Sequence, residues 1–135
     1  MKVDGYLIDP YSANVTSLRV ERGSSKGIFK ALQCDRFRVG GYLPTGDVIY
    51  VEDVDLLSEH TNHFRIPSSS SYPLAGRGVV IGTSDEEGLA TSAKIDADGL
   101  VGLIYWVYDL DRNGASTFEV KATTQWSLNK EEVAV

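Results

Sequence analysis

The sequence predicts one α+β domain, a mostly antiparallel sheet of about six to eight strands with one or two short helices on one side. Three observations predict it. Most apolar runs alternate with period two and are bounded by Gly, Pro, Asn, Asp or Ser. A single clear stretch, around Ile28, Phe29, Ala31 and Leu32, recurs at helical spacing. Finally, 135 residues with no repeat and no linker suit a single unit over 1–135, long enough to bury roughly two thirds of the unfolded chain's surface.

The elements follow in order. YLID and VTSLRVE surround the turn formers Pro10 to Asn14 and read as a first hairpin. Ser24 or Ser25 caps a short helix, Lys26 to Gln33, with Lys26 and Lys30 on its outer side. RFRVGGYL and DVIYVED flank Pro44-Thr45-Gly46 as a second hairpin, in which Phe37 and Val39 face the core and Arg36 and Arg38 the solvent. Ser58 to Pro73 is polar, with four serines in a row, and reads as a long flexible loop. GRGVVIGT is a strand, DEEG a turn and LATSAKI a further strand. Asp96 is placed to cap a helix that Gly99 and Gly102 weaken, so strand is favoured from about Leu103.

A final hairpin, about 103–126, turns at Asn113-Gly114. A two-residue type I′ turn there makes cross-strand partners sum to 227, pairing Leu110 with Thr117 and Trp106 with Lys121. Leu103, Tyr105, Val107, Phe118, Val120 and Ala122 then form the core face. Ile104, Trp106 and Tyr108 line the other with Thr117, Glu119, Lys121 and Thr123, an amphipathic face that is either covered or a stacking or partner surface. Asp109, Asp111, Asn113 and Gly114 also match the opening of an EF-hand calcium loop. The twelfth position, however, is Val120 where a bidentate carboxylate belongs, and the flanks read as strands, so the turn is preferred and no metal or other cofactor is expected.

Thirteen basic and nineteen acidic residues give a net charge of −6, which disfavours nucleic acid as a partner. The charge is unevenly spread: Arg19, Arg22, Lys26, Lys30, Arg36 and Arg38 cluster, whereas 47–59 and 85–111 are acidic. The longest apolar run, Leu100 to Tyr108, is too short for a membrane span, and MKVDGYLID does not read as an export signal. A single cysteine, Cys34, allows no internal disulfide and suits a reducing cytoplasm.

Candidate sites are few. His60 and His63, with Glu59 beside them, lack a third nitrogen or sulfur ligand and read as loop residues; their use in a hydrolase is an alternative. The serines of PSSSSYP sit in no GxSxG elbow, and Glu52, Asp53 and Asp55 read as a solvated strand end. Gly76-Arg77-Gly78 resembles an anion cradle, small residues freeing backbone amides beside a guanidinium, although the ending of a Walker motif is missing and the pair of glycines also suits a plain turn.

GYLIDP followed by a strand, the helix ending in KALQCDRFRV, then GDVIYVEDVDLL and PLAGRGVVIGTSDEEG together resemble the domain of unknown function 3846 family over about residues 1–98. The resemblance implies a small accessory protein of a phage or mobile element, working in the cytoplasm of an infected bacterium, with no established catalytic residues to carry over. The expected function is therefore binding, with no catalysis: sequestration of an anionic nucleotide-like signal of host defence. Arg77 with Gly76 and Gly78, and Lys26, Lys30, Arg36 and Arg38, are the candidate phosphate donors, and Tyr72, Trp106 and Tyr108 the candidate stacking surfaces. The alternative is a protein inhibitor of a host factor acting through the Trp106/Tyr108 face, and exposed sheet edges also suit a homodimer or larger ring.

Overall fold

The computed structural model describes residues 1–54 and 62–123, and the backbone of 128–134. His60, Ser58, Asp55, Glu59 and the last residues of the expected hairpin, 124–126, lie outside the described residues.

The fold is α+β, two packed sheets with a helix outside the larger one. Strands β1 (Lys2–Asp9) and β2 (Asn14–Glu21) form the first hairpin, and helix α1 (Lys26–Leu32) follows. Its cap differs from expectation: Ser25 occupies the cap position without a side-chain bond, and the Ser24 hydroxyl accepts the Lys26 amide instead. Strands β3 (Phe37–Tyr42) and β4 (Val48–Glu52) form the second hairpin. Val39 pairs with Tyr50 ahead of a register shift at Gly40 and is exposed, although a core position was expected. Further on come β5 (His63–Arg65), the two-residue β6 (Leu74–Ala75) and β7 (Gly78–Ile81). Helix α2 (Ala97–Val101) is capped by the Asp96 carboxylate, which accepts the Gly99 amide at 2.6 Å, and strand begins at Tyr105. LATSAKI is no strand, only a bridge from Thr91 to Gly82. Strands β8 (Tyr105–Leu110), β9 (Ser116–Lys121) and β10 (Leu128–Ala134) complete the order.

The larger sheet runs β10-β2-β1-β7-β4-β3, antiparallel except where β10 lies parallel to β2. Its period-two alternation separates two cores. Val3, Leu18, Val20, Val48, Val79 and Ile81 face α1, which buries Ile28, Ala31 and Leu32 on them. Ile8, Val15, Ile49, Val51 and Val80 face the smaller sheet, β6-β5-β8-β9, and its Phe64, Ile66, Leu74 and Trp106. Central strand β7 is buried throughout, which explains its unbroken apolar run.

The last hairpin corrects the expected register. The Asp111 amide donates to Ala115 and the Gly114 amide to Asp111, so three residues form the turn; Gly114 alone has positive φ, and Asn113 does not. Most partners therefore sum to 226, among them Trp106 with Val120 and Val107 with Glu119. One extra turn residue shifts the partners of Lys121, Val120, Glu119 and Ser116 by one, whereas Phe118, between two register shifts, stands opposite Asp109. Trp106 now shares its face with Val120, and Val107 shares its face with Glu119. The Asp111 carboxylate accepts the amides of Asn113 and Ala115, the ordinary work of an Asx turn.

Candidate functional site

The segment read as a flexible serine loop is shaped by specific bonds. Ile66 carbonyl accepts the amides of Ser69 and Ser70, and the Ser70 hydroxyl accepts the amide of Tyr72. Strand β3 gives this segment room to close. A side chain at Gly40 would press on Leu74 and Val51, and one at Gly41 would collide with the Ser69 hydroxyl. Two glycines in one edge strand thus let residues 69–74 lie against β3, with Pro73 and Leu74 buried and Tyr72 left 59% exposed above them.

Between this segment and β3 runs a groove of about 250 Å³ lined by Arg38, Glu52, Ser70, Tyr72, Pro73 and neighbouring backbone. Glu52 also borders a shallower, more open groove beside α1, where Lys26, Phe29, Lys30 and Gln33 lie. Phe29, Phe37 and Tyr50 stack edge to face beneath it, with ring centres 4.8 and 5.2 Å apart. The two grooves share Glu52, with Lys26 and Lys30 bordering the one beside α1 and Arg38 and Tyr72 the other.

The expected cation set is otherwise divided. The basic stretch does not form a patch, because distant acids pair with it: Arg19 with Asp4, Arg22 with Asp85, and Arg38 loosely with Asp53 at 3.9 Å. Arg36 is exposed and lines neither groove. Arg77 is engaged internally, with Nε 3.6 Å from Asp9, Nη1 donating to Gln33 at 3.4 Å and the guanidinium 4.8 Å from the Tyr11 ring. Its side chain is 23% exposed, against 46% for Arg38. The glycines beside Arg77 have structural causes. Gly76 adopts φ +74°, and a Cβ on Gly78 would stand 2.6 Å from the Phe64 ring. The GRG segment is thus a turn entering a crowded strand, and Arg77 fastens β1, α1 and β7 together.

Trp106 is only 3% exposed and belongs to the core between the sheets, so it provides no stacking surface. Tyr108 is outside, 6.0 Å from Phe118, and the bulge at this point separates the two residues expected to act together. His63 is buried within β5, paired with Val107 and Ala75, and borders none of the grooves described here. Cys34 borders the α1 groove, and burial pushes its thiol pKa up, away from reactive thiolate.

A third groove, of about 470 Å³, was not foreseen. Arg65, Ser71, Tyr72, Thr117 and Glu119 line it with Ala115 and Ser116. Arg65 Nε donates to Glu119 Oε2 at 3.0 Å and Nη2 to Oε1, a bidentate pair. Hydrogen bonding from Arg65 holds the Glu119 carboxyl below the usual carboxylate range. The guanidinium also lies 5.1 Å from the Tyr105 ring. The signal for Arg65 is present in HFRI, where a charge sits between two apolar residues, a short strand hidden within a polar stretch.

The fold and these grooves define a helix–sheet–sheet α+β protein with concave polar sites along one side of its β3–β5–β9 region. No protein-family model, curated protein or solved structure matches the chain. No helix among the described residues is long and apolar enough to cross a membrane.

Proposed function

We propose that this protein acts by binding, without catalysis, and that its ligand is a small anion carrying a flat ring, a nucleotide-like molecule held between Arg38 and Tyr72. The observation that carries this reading is their convergence on one groove, the guanidinium half exposed, bonded to the Val39 carbonyl and loosely paired with Asp53, the ring exposed beside it. Phosphate recognition needs a charge-assisted donor, and a base needs an aromatic platform. Lys26 and Lys30 in the adjoining groove add longer-range attraction for an anion. In the phage setting implied by the resemblance to the domain of unknown function 3846 family, such binding removes a signal of host defence from the infected cell.

Calorimetry with a panel of cyclic di- and trinucleotides and ADP-ribose derivatives tests the reading. A charge-assisted contact contributes roughly 1.5–3 kcal/mol and a stacked ring roughly 1–3. Arg38→Ala and Tyr72→Ala should each weaken binding about ten- to a hundredfold with little change in melting temperature, because both side chains stand largely outside the core. Absence of binding below about 100 μM across the panel, or mutants as tight as wild type, would defeat it.

A specific observation favours a second reading, inhibition of a host protein. The exposed Tyr108, Phe118 and Val120 lie together on the last hairpin, with Val120 opposite the core residue Trp106. Exposed apolar residues grouped at an edge strand are suited to a protein partner. A host protein that co-purifies with the wild type should be lost from Phe118→Asp, with the melting temperature changed by less than about 2 °C, since Phe118 is exposed. A partner retained by the variant would exclude this face.

A further inference from the structure

We infer that the ligand has two lobes and that the second, an uncharged nucleoside portion, occupies the groove on the far side of Tyr72, so that the protein is built for a dinucleotide. This rests on the reading of the Arg38–Tyr72 groove as a nucleotide site.

Tyr72 lines both grooves, and its neighbours divide between them, Ser70 bordering the first and Ser71 the second. The first groove, about 250 Å³, is below the roughly 300–1,000 Å³ typical of small-ligand sites. The second, about 470 Å³, lies within that range and has a different character. Its charges cancel: Arg65 and Glu119 neutralise each other in a bidentate pair, so the groove has little attraction for a second phosphate. What the pair retains is hydrogen-bonding capacity on a rigid frame. Arg65 Nη1 has no hydrogen-bond partner among the described residues, and a carboxylate has lone pairs beyond the two that Arg65 occupies. Beside them stand the Ser71 hydroxyl and the Thr117 hydroxyl, which donates to Asp109 at 2.6 Å and keeps its lone pairs for accepting. Donors and acceptors alternating next to an aromatic wall suit the vicinal hydroxyls of a ribose, or the polar edge of its base. The Tyr105 ring, with Arg65 and Lys121 each about 5 Å from its centre, stiffens the support.

The test compares an adenine or guanine mononucleotide with the matching linear dinucleoside monophosphate, which carries one phosphate and an uncharged second nucleoside with free vicinal hydroxyls, by calorimetry on wild type, Arg38→Ala and Ala115→Trp. Ala115 is exposed at the hairpin turn and borders only the second groove, so the indole obstructs that groove without touching Arg38 or the core. Ser71→Leu, also exposed, is the second variant should the first melt early. Wild type is expected to bind the dinucleotide at least tenfold more tightly than the mononucleotide. Ala115→Trp should abolish that difference while leaving mononucleotide affinity within about twofold. Equal affinity for the two probes, with both weakened by Arg38→Ala, would overturn the two-lobed ligand and leave the Arg38–Tyr72 site standing. A dinucleotide preference unchanged in Ala115→Trp and Ser71→Leu would also overturn it. Failure of every probe to bind would overturn both readings together.

Discussion

Phe64→Ala is expected to destabilise the protein by about 3–5 kcal/mol. Phe64 is fully buried between the two sheets, packed with Ile49, Val51, Leu74 and Trp106 in one cluster, and its ring fills the space that a Cβ on Gly78 would need. Truncation leaves a cavity bounded by strands that are held in register on both sides and close poorly over it. The same contact makes the reverse substitution costly. Gly78→Ala alone should cost about 1–3 kcal/mol, because β7 is a central strand and neither it nor the ring has room to yield. In the Phe64→Ala background that cost should nearly vanish, a coupling of about 1 kcal/mol or more. Urea unfolding of the four proteins of this cycle measures it. Strictly additive losses would show that the packing account is wrong.

Asp47→Ala is expected to cost about 3 kcal/mol and to lower the melting temperature by about 10 °C. Asp47 is 1% exposed, at the β3–β4 turn. Its carboxylate accepts the backbone amides of Lys94 at 2.9 Å and Ile95 at 2.8 Å, and the Thr45 hydroxyl donates to it at 2.7 Å. It therefore ties the second hairpin to the segment that leads into α2. Beside these bonds the segment is held by a bridge at Thr91, whose hydroxyl donates to the Thr83 carbonyl, by the Ala93 amide donating to Asp4 and the Asp4 amide to the Ser92 hydroxyl, and by the Tyr6 hydroxyl donating to the Ile95 carbonyl. Alanine leaves buried donors without an acceptor, and the desolvation of each is then uncompensated. Asp47→Asn retains one acceptor oxygen and should lose roughly half as much. Thermal unfolding followed by circular dichroism distinguishes the cases: a shift under about 2 °C for Asp47→Ala, or asparagine worse than alanine, would show that these bonds do not hold the segment.

Much of the fold was legible because it depends on local chemistry. The first two hairpins, α1, the strand at GVVI and the turn at DEEG all follow from period, turn residues and caps, which act over a few neighbours. The failures have physical causes of a different kind. The serine run was read from composition, but its shape comes from two glycines in a strand thirty residues earlier. The last hairpin was read correctly as a hairpin. Its register turned on whether the Asn113-Gly114 turn holds two residues or three, which the Asp111 side chain decides by accepting both the Asn113 and Ala115 amides. The candidate site divided in the same way. Residue types named the donors and rings, yet only packing could show that Arg77 is engaged by Asp9, Tyr11 and Gln33, that Trp106 is core, and that Arg65 and Glu119 meet from strands fifty-four residues apart.

By itself the sequence determined the α+β class, the antiparallel hairpins and the helix on one side, because hydrophobic period and turn chemistry are local properties that each segment carries with it. The tertiary structure alone decided which cations remain exposed, which aromatic rings are buried, and that Tyr72 stands between two grooves. These outcomes depend on non-local contacts, where a distant carboxylate, ring or glycine competes for the same side chain, and no pattern within a single segment records the result of that competition.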